Sequence, residues 1–441
     1  MKNIDVLFLY ETRVRELENI CLLKYELERR GYSVAVQNTW NELAKKTKPK
    51  YDAKVVVTHA MYHDGIYQFV QSIVGNVPKV VNMQCEQVGT LQDDEAEDSR
   101  FLLHGVAAQS VNICWGRKSY DRLLNRSKIS PDYLRLTGQV TLDFCRPELK
   151  GYYKSREELA QEYNLPQDCQ WNLFISSFAY VNLPDSIAAQ SDIQDKSQFI
   201  KCSRDSFNGV LQWFDAFLTE RKDQVVVYRP HPAEANNPVL TALCEKHAGH
   251  FFVISQHSVK QWVAVSDRVY TWYSSAGAEV YTFGVPFGIL RPVEIPRSME
   301  VELFKNARFI TDYEGFLASV EGGNETVIDP EVFAELYDVQ PTMSYIRVAD
   351  AIEEVLKEDK YLIQNAPVLP KKTFSMKIKE FAHKAVALVA DRLPEDFQYL
   401  KKYRTPQQVV DDYTLQRRQN NYATDEEIEE IQQKISRLLS R

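Results

Sequence analysis

Tyr228-Arg229-Pro230-His231-Pro232 and, further along, Trp272-Tyr273-Ser274-Ser275-Ala276-Gly277-Ala278-Glu279 decide the fold of this chain. Each follows a short β-branched or aromatic run, Val225-Val226-Val227-Tyr228 in one case and Arg268-Val269-Tyr270-Thr271-Trp272 in the other. The second runs on into a helical pattern. Polar groups at the C-terminal ends of parallel strands, beside a helix start, are where α/β sheets hold phosphorylated ligands, because unpaired N–H groups there attract anions. His231 can donate to a phosphate oxygen, and Ser274 and Ser275 add hydroxyl and backbone donors. Together they point to a nucleotide-activated ligand.

The surrounding text alternates strand and helix. Strands are predicted at 4–10, 33–37, 53–58, 79–84, 111–115 and 134–137. A helix over 12–30 carries Leu17, Ile20, Cys21, Leu23 and Leu27 at helical spacing, and Gly31 ends it. Between 144 and 170 the text turns polar, with Pro147, Gly151 and Pro166. A second set opens at 171–177 and continues with a helix at 204–219, whose stripe includes Phe207, Val210, Leu211 and Phe214. Strands follow at 224–228, 251–254, 268–272 and 287–290, with helices near 239–247, 259–265 and 276–283. This alternation implies parallel sheets with right-handed crossovers. The expected architecture is α/β: two tandem Rossmann-like, doubly wound domains facing a cleft, at 1–150 and 151–365, with a helical C-terminal extension at 366–441.

Composition narrows the class. The chain has 441 residues, too many for one ordinary core, with 44% hydrophobic and 26% charged residues. A net charge of −8 argues against general nucleic-acid binding, which recruits basic surfaces. The 7 cysteines form no CxxC array and read as thiols of a reducing compartment. Met1-Lys2-Asn3-Ile4-Asp5 leads straight into a strand, and no apolar run is long enough to span a bilayer. The expected location is the cytoplasm. Within the extension, residues 371–392 alternate Lys371, Lys372, Lys377 and Lys379 with Phe374, Met376 and Ile378. That pattern suits an amphipathic helix on the anionic inner face of a membrane, or a helix packed across the two domains. The acidic run 93–98 lacks the glycine turn of a calcium loop and reads as a solvated loop. No GxGxxG or GxxxxGK[ST] occurs.

On the residues His231-Pro232 and Ser274-Ser275, the chain resembles GT-B glycosyltransferases of bacterial surface polysaccharides, of the capsule and O-antigen kind. It is similar to capsule Kdo transferases, polysialyltransferases and the CDP-glycerol glycerophosphotransferases of teichoic acid synthesis. The segment Leu136-Thr137-Gly138-Gln139-Val140-Thr141-Leu142-Asp143 is similar to the "TGNPRxD" text that leads such proteins out of their first domain. The similarity spans about residues 50–300. It implies that His231 and the two serines hold the phosphate and ribose of a cytidine nucleotide, and that Glu279 is the ribose-binding carboxylate. It also implies metal-independent catalysis with no resident cofactor, the nucleotide sugar being substrate, and a glycan or glycolipid as acceptor. One departure stands out. The polyol-phosphate transferases carry a "QxWHG" motif whose His is a candidate base, whereas this chain reads Met83-Gln84-Cys85-Glu86-Gln87-Val88-Gly89.

Glycosyl transfer needs a stabilised leaving phosphate, a base for the acceptor hydroxyl and support for an oxocarbenium-like centre. Arg229 and His231 are placed to neutralise the phosphate; the competing reading is a rigid loop fixed by two prolines. Ser274 and Ser275 also suit a helix N-cap, which is compatible with anion binding. Ser177 closes the first strand of the second set and is a further phosphate contact, or a plain strand-end polar residue. Glu86 is the candidate base if partial burial raises its pKa. Asp143 is a nucleophile if configuration is retained, or a residue capping a turn at the junction. His59, His63 and Asp64 follow the third strand on the cleft side, where one of them would meet the acceptor. The favoured expectation is a glycosyltransferase using a CMP-linked, Kdo-like donor. A CDP-polyol phosphotransferase, a non-catalytic nucleotide-sugar-binding scaffold and a two-domain nucleotide-sugar epimerase, which would turn over without any acceptor, are the alternatives.

Overall fold

The computed structural model describes residues 1–39, 48–95, 101–182, 196–231, 234, 237–322, 327–367 and 422–440. A six-stranded sheet is built from β1 (Lys2–Tyr10), β2 (Val34–Asn38), β3 (Tyr51–Thr58), β4 (Val80–Asn82), β5 (Val111–Cys114) and β6 (Leu134–Leu136), in the order β2-β1-β3-β4-β5-β6. A five-stranded sheet follows with β7 (Gln170–Ile175), β8 (Gln224–Arg229), β9 (Phe251–Val253), β10 (Arg268–Thr271) and β11 (Phe287–Ile289), in the order β11-β10-β7-β8-β9. Neighbouring strands pair in parallel in both sheets.

Strand alternation explains why each sheet is covered on both faces. In β1, Val6, Phe8 and Tyr10 join one core, and Leu7 and Leu9 join the core on the opposite face. In β7, Trp171, Leu173 and Ile175 face one side, and Phe174 faces an aromatic core with Phe178, Phe214 and Tyr228. The Arg13–Arg29 helix covers the first sheet through Leu17, Ile20, Cys21 and Leu27, and Gly31, at φ 92°, turns the chain into β2.

One feature departs from the expectation and two add to it. The Ser344–Lys357 helix, assigned by sequence to the second domain, packs Val348, Ala349, Ile352 and Val355 into the core of the first sheet. The Asp425–Leu439 helix settles there too, with Ile435 buried in that core. The stretch between the sheets is ordered: a 3-10 turn at Pro147–Tyr152, then the Arg156–Tyr163 helix, capped reciprocally by Ser155 and Glu158.

The basic segment 371–392, Pro232 and residues 96–98 of the acidic run lie outside the described residues. Asp93, at the head of that run, folds back to accept the Thr90 N–H at 2.8 Å. Among the described residues no helix is long and apolar enough to cross a membrane.

The strand orders locate the crevices. In the first sheet the winding direction reverses between β1 and β3, whose ends lead to Glu11 and His59. In the second it reverses between β7 and β10, whose ends lead to Ser177 and to Ser274-Ser275. Ligands of doubly wound sheets sit outside strand C-termini at such reversals, where helices on opposite faces diverge.

Candidate active site

Both reversal points open into one cleft of about 1230 Å³ between the domains. It is large enough for a nucleotide-linked donor together with part of an acceptor. Arg229, His231, Ser177, Ser274, Ser275, Glu279 and Glu86 all line it, as does His59. Asp143 does not.

On the second domain, β8 delivers Arg229 and the loop beyond it. The Arg229 guanidinium is buried and donates to the Gln256 carbonyl at 2.8 Å and to the His257 carbonyl. No carboxylate lies within 4 Å of it among the described residues, and burial lowers its pKa to about 10. It therefore stays charged at neutral pH as a fixed cation that makes no direct ion pair among the described residues, Tyr163 and Glu18 acting on it only through space. His231 sits one turn further on. Its backbone N–H donates to Glu234 Oε1 at 3.1 Å, and the Glu234 N–H returns to the His231 carbonyl at 2.8 Å.

Sequence reasoning missed Glu234. It is 1% exposed, and its carboxylate accepts from the Ser176 hydroxyl, the Phe178 N–H at 3.1 Å and the Tyr228 hydroxyl at 2.6 Å. These bonds lace the ends of β7 and β8 together and fix the histidine loop. Burial outweighs them and raises the Glu234 carboxyl pKa. The available signal was an acidic residue three places after the histidine, within reach of a single tight turn.

Ser177 ends β7 with a buried hydroxyl that has no hydrogen-bond partner among the described residues. A buried hydroxyl left unpaired costs free energy, and this one lines the cleft. Beyond β10, neither Ser274 nor Ser275 is the N-cap of the following helix, Gly277–Phe283, whose cap position is Ala276. Ser274 Oγ accepts the Ala276 N–H at 3.3 Å, and Ser275 is exposed to the cleft. Gly277 lets that helix lie close: a Cβ there would meet Phe304 at 3.0 Å and Phe287 at 3.2 Å. One turn along, Glu279 is sunk between the domains yet keeps surface open to the cleft. Burial raises its pKa against the opposing pull of Lys260. Lys260 itself reaches Glu18 of the first domain at 3.1 Å and lies over the Phe144 ring. Tyr180, Phe199 and Tyr273 form an aromatic wall beside Ser177, with ring centroids 5.3 Å apart for the latter pair and 5.9 Å for the former.

On the first domain, Glu86 is 56% exposed on its side chain and paired with Arg15 Nη1 at 2.7 Å. The partial burial expected of the candidate base is absent, so this part of the expectation is corrected. Arg15 also reaches Glu16, whose Oε2 accepts the Glu11 N–H at 2.8 Å. Of the three residues after β3, His63 caps the next helix by accepting the Gly65 N–H, and Asp64 accepts the Val106 N–H at 2.8 Å. His59 alone of the three lines the cleft.

Asp143 requires the second correction. It is 2% exposed, and its oxygens accept the N–H groups of Ser344 at 2.9 Å and Tyr345 at 2.7 Å. It borders a void of about 10 Å³ and is not among the residues lining the cleft. An aspartate whose lone pairs are spent on a helix start, out of reach of the cleft, cannot be the nucleophile. Nor does it cap a turn at the junction; it holds the start of the returning Ser344–Lys357 helix through two backbone N–H groups.

No protein-family model matches the chain, and no curated protein matches it. Among solved structures it is similar to a variant of the wall teichoic acid polymerase TagF, at 10% identity and a TM-score of 0.52, covering 81% of this chain and 89% of that one. TagF soaked with CDPG gives 12% identity and a TM-score of 0.51, covering 80% and 88%. A putative UDP-N-acetylglucosamine 2-epimerase from Listeria monocytogenes, at 13% identity and covering 83% and 99%, reaches a TM-score of only 0.45, too loose to argue from. At these identities the likeness establishes the fold: GT-B, two Rossmann-like domains facing a cleft.

Proposed function

We propose that this chain is a glycosyltransferase that moves a sugar from a nucleotide-activated donor onto a hydroxyl of a surface polysaccharide or its lipid-linked precursor. The observation that supports the reading is the convergence on one cleft of a buried cation outside any direct ion pair, Arg229, a hydroxyl unpaired among the described residues, Ser177, and the His231 and Ser274-Ser275 loops. Those are the groups an anionic leaving group needs, fixed in place before it forms. The donor phosphate lies at the β7/β10 reversal point. As its bond to the anomeric carbon breaks, Arg229 and His231 offset the charge developing on the phosphate oxygen, without a metal ion. Ser274 and Ser275 donate to phosphate, and Glu279 accepts from a ribose hydroxyl. The aromatic wall of Tyr180, Phe199 and Tyr273 offers faces for the base or the sugar. A cytidine nucleotide, CMP-linked, is the proposed donor, on the resemblance of the His-Pro and Ser-Ser residues. In this reading the protein works in the cytoplasm at the inner face of the membrane that carries its acceptor.

One observation favours keeping transfer of a CDP-linked polyol phosphate as a second reading. His59 lies beside the 83–89 segment, its carbonyl accepting the Cys85 N–H at 2.8 Å, which brings an imidazole close to where Glu86 stands in sequence.

The test is a transfer assay with CMP-activated sugars and glycan acceptors, following both nucleotide release and glycoside formation. Wild type should release CMP with matching product. His231→Ala should lower kcat/KM by about 10²–10³-fold, the usual cost of removing one charge-stabilising donor. Wild-type activity in that variant would remove His231 from the phosphate site.

A further inference from the structure

His59 stands where the first sheet reverses its winding, at the end of β3, and the end of β1 brings Glu11 beside it. Its Nε2 lies 3.5 Å from Glu11 Oε2, near enough for attraction but too long for a well-formed hydrogen bond. Its Nδ1 is buried with no hydrogen-bond partner. Neither ring nitrogen is committed, in contrast to His63, whose Nδ1 caps a helix, and His247, whose Nε2 is bound to Asp215 at 2.6 Å. Uncommitted imidazole nitrogens with only 16% of the side chain exposed are unusual outside functional sites, because a buried polar nitrogen left unpaired costs free energy. The residue is held in place from behind, since its carbonyl accepts the Cys85 N–H. It also lines the same cleft as the phosphate-binding loops of the second domain.

We propose that this pair is the acceptor end of the site: His59 takes the proton of the acceptor hydroxyl, and Glu11 positions the imidazole and steadies its charged form. Resting on the transfer reading above, the step balances as follows. The acceptor oxygen bonds to the anomeric carbon while its proton passes to a ring nitrogen of His59. The bond from that carbon to the donor phosphate breaks, and its electron pair leaves with the nucleotide. Glu86, exposed and paired with Arg15, has no part in this transfer. His59 is thus the catalytic residue and Glu11 a positioning residue.

The experiment combines nucleotide-binding calorimetry with turnover in His59→Ala, Glu11→Gln and Glu86→Gln, the first also assayed with added imidazole. His59→Ala should bind CMP like wild type, lose about 10²–10⁴-fold in kcat and regain part of it with imidazole. Glu11→Gln should lower kcat while leaving KM unchanged, and Glu86→Gln should turn over as wild type. Full activity in His59→Ala, or a loss that imidazole does not relieve, overturns the assignment. So does a large kcat loss in Glu86→Gln. A failed transfer reading would show differently: wild type would bind nucleotide yet transfer to neither acceptor nor water, which sinks both claims.

Discussion

Asp143 shows how position in space decides between readings that residue type alone leaves open. Asp143 ends a segment that reads as functional, yet the chain returns two hundred residues later to place a helix start on its carboxylate. Nothing local in the sequence announces that contact. Burial outweighs the two N–H bonds and raises its pKa from 3.8 to about 6. The folded state thus holds this proton more tightly than the unfolded chain, so the group's contribution to stability is greatest below 3.8 and is lost as pH rises through about 6. Melting curves of wild type and Asp143→Asn at about pH 5 and about pH 7.5 should show the wild type gaining on the variant in acid; a constant difference would contradict the assignment. Asp143→Ala should cost about 1–3 kcal/mol in stability by leaving two helix N–H groups unpaired. Its transfer rate per folded molecule should match wild type, and a selective loss of turnover would restore the nucleophile.

At the level of elements, the strands were legible because parallel, doubly covered strands read as short apolar runs closed by polar residues. Val225-Val226-Val227-Tyr228 and Ile4-Asp5-Val6-Leu7-Phe8 are examples, and both fall within strands. The loops at strand ends were legible as facing the cleft, since His231, Ser274 and Ser275 follow sheet C-termini and line it. Their partners were not: Glu234 is recognisable only once Ser176, Phe178 and Tyr228 surround it. The amphipathic Ser344–Lys357 helix was legible as a helix, but its apolar face fits either domain, so sequence order misassigned it. Ile352, fully buried against the first sheet, tests the observed placement. Ile352→Ala should cost about 2–5 kcal/mol. Hydrogen exchange should then quicken in β1 and β3 and stay slow in β7 and β8; the reverse pattern would contradict the packing.

Across the whole molecule, two facing reversal points are held in register by contacts between the domains. Arg122 of the first domain meets Glu302 of the second at 3.1 Å, with both side chains buried, and Leu91 donates its N–H to the Glu300 carbonyl at 2.9 Å. Lys260 and Glu18 make a further bridge beside the cleft. In the proposed reading, one wall holds an anionic donor while the other presents a proton acceptor to the incoming hydroxyl, the geometry a group transfer needs. The most direct measurement is calorimetric titration of CMP, CDP, UDP, GDP and dTDP into wild type and into the Ser274→Ala/Ser275→Ala double variant. One cytidine nucleotide should bind per chain in preference to the others, and the double variant should lose that binding while keeping the wild-type melting temperature. Binding of no nucleotide, or undiminished binding in the double variant, would contradict a donor site at the β7/β10 reversal point.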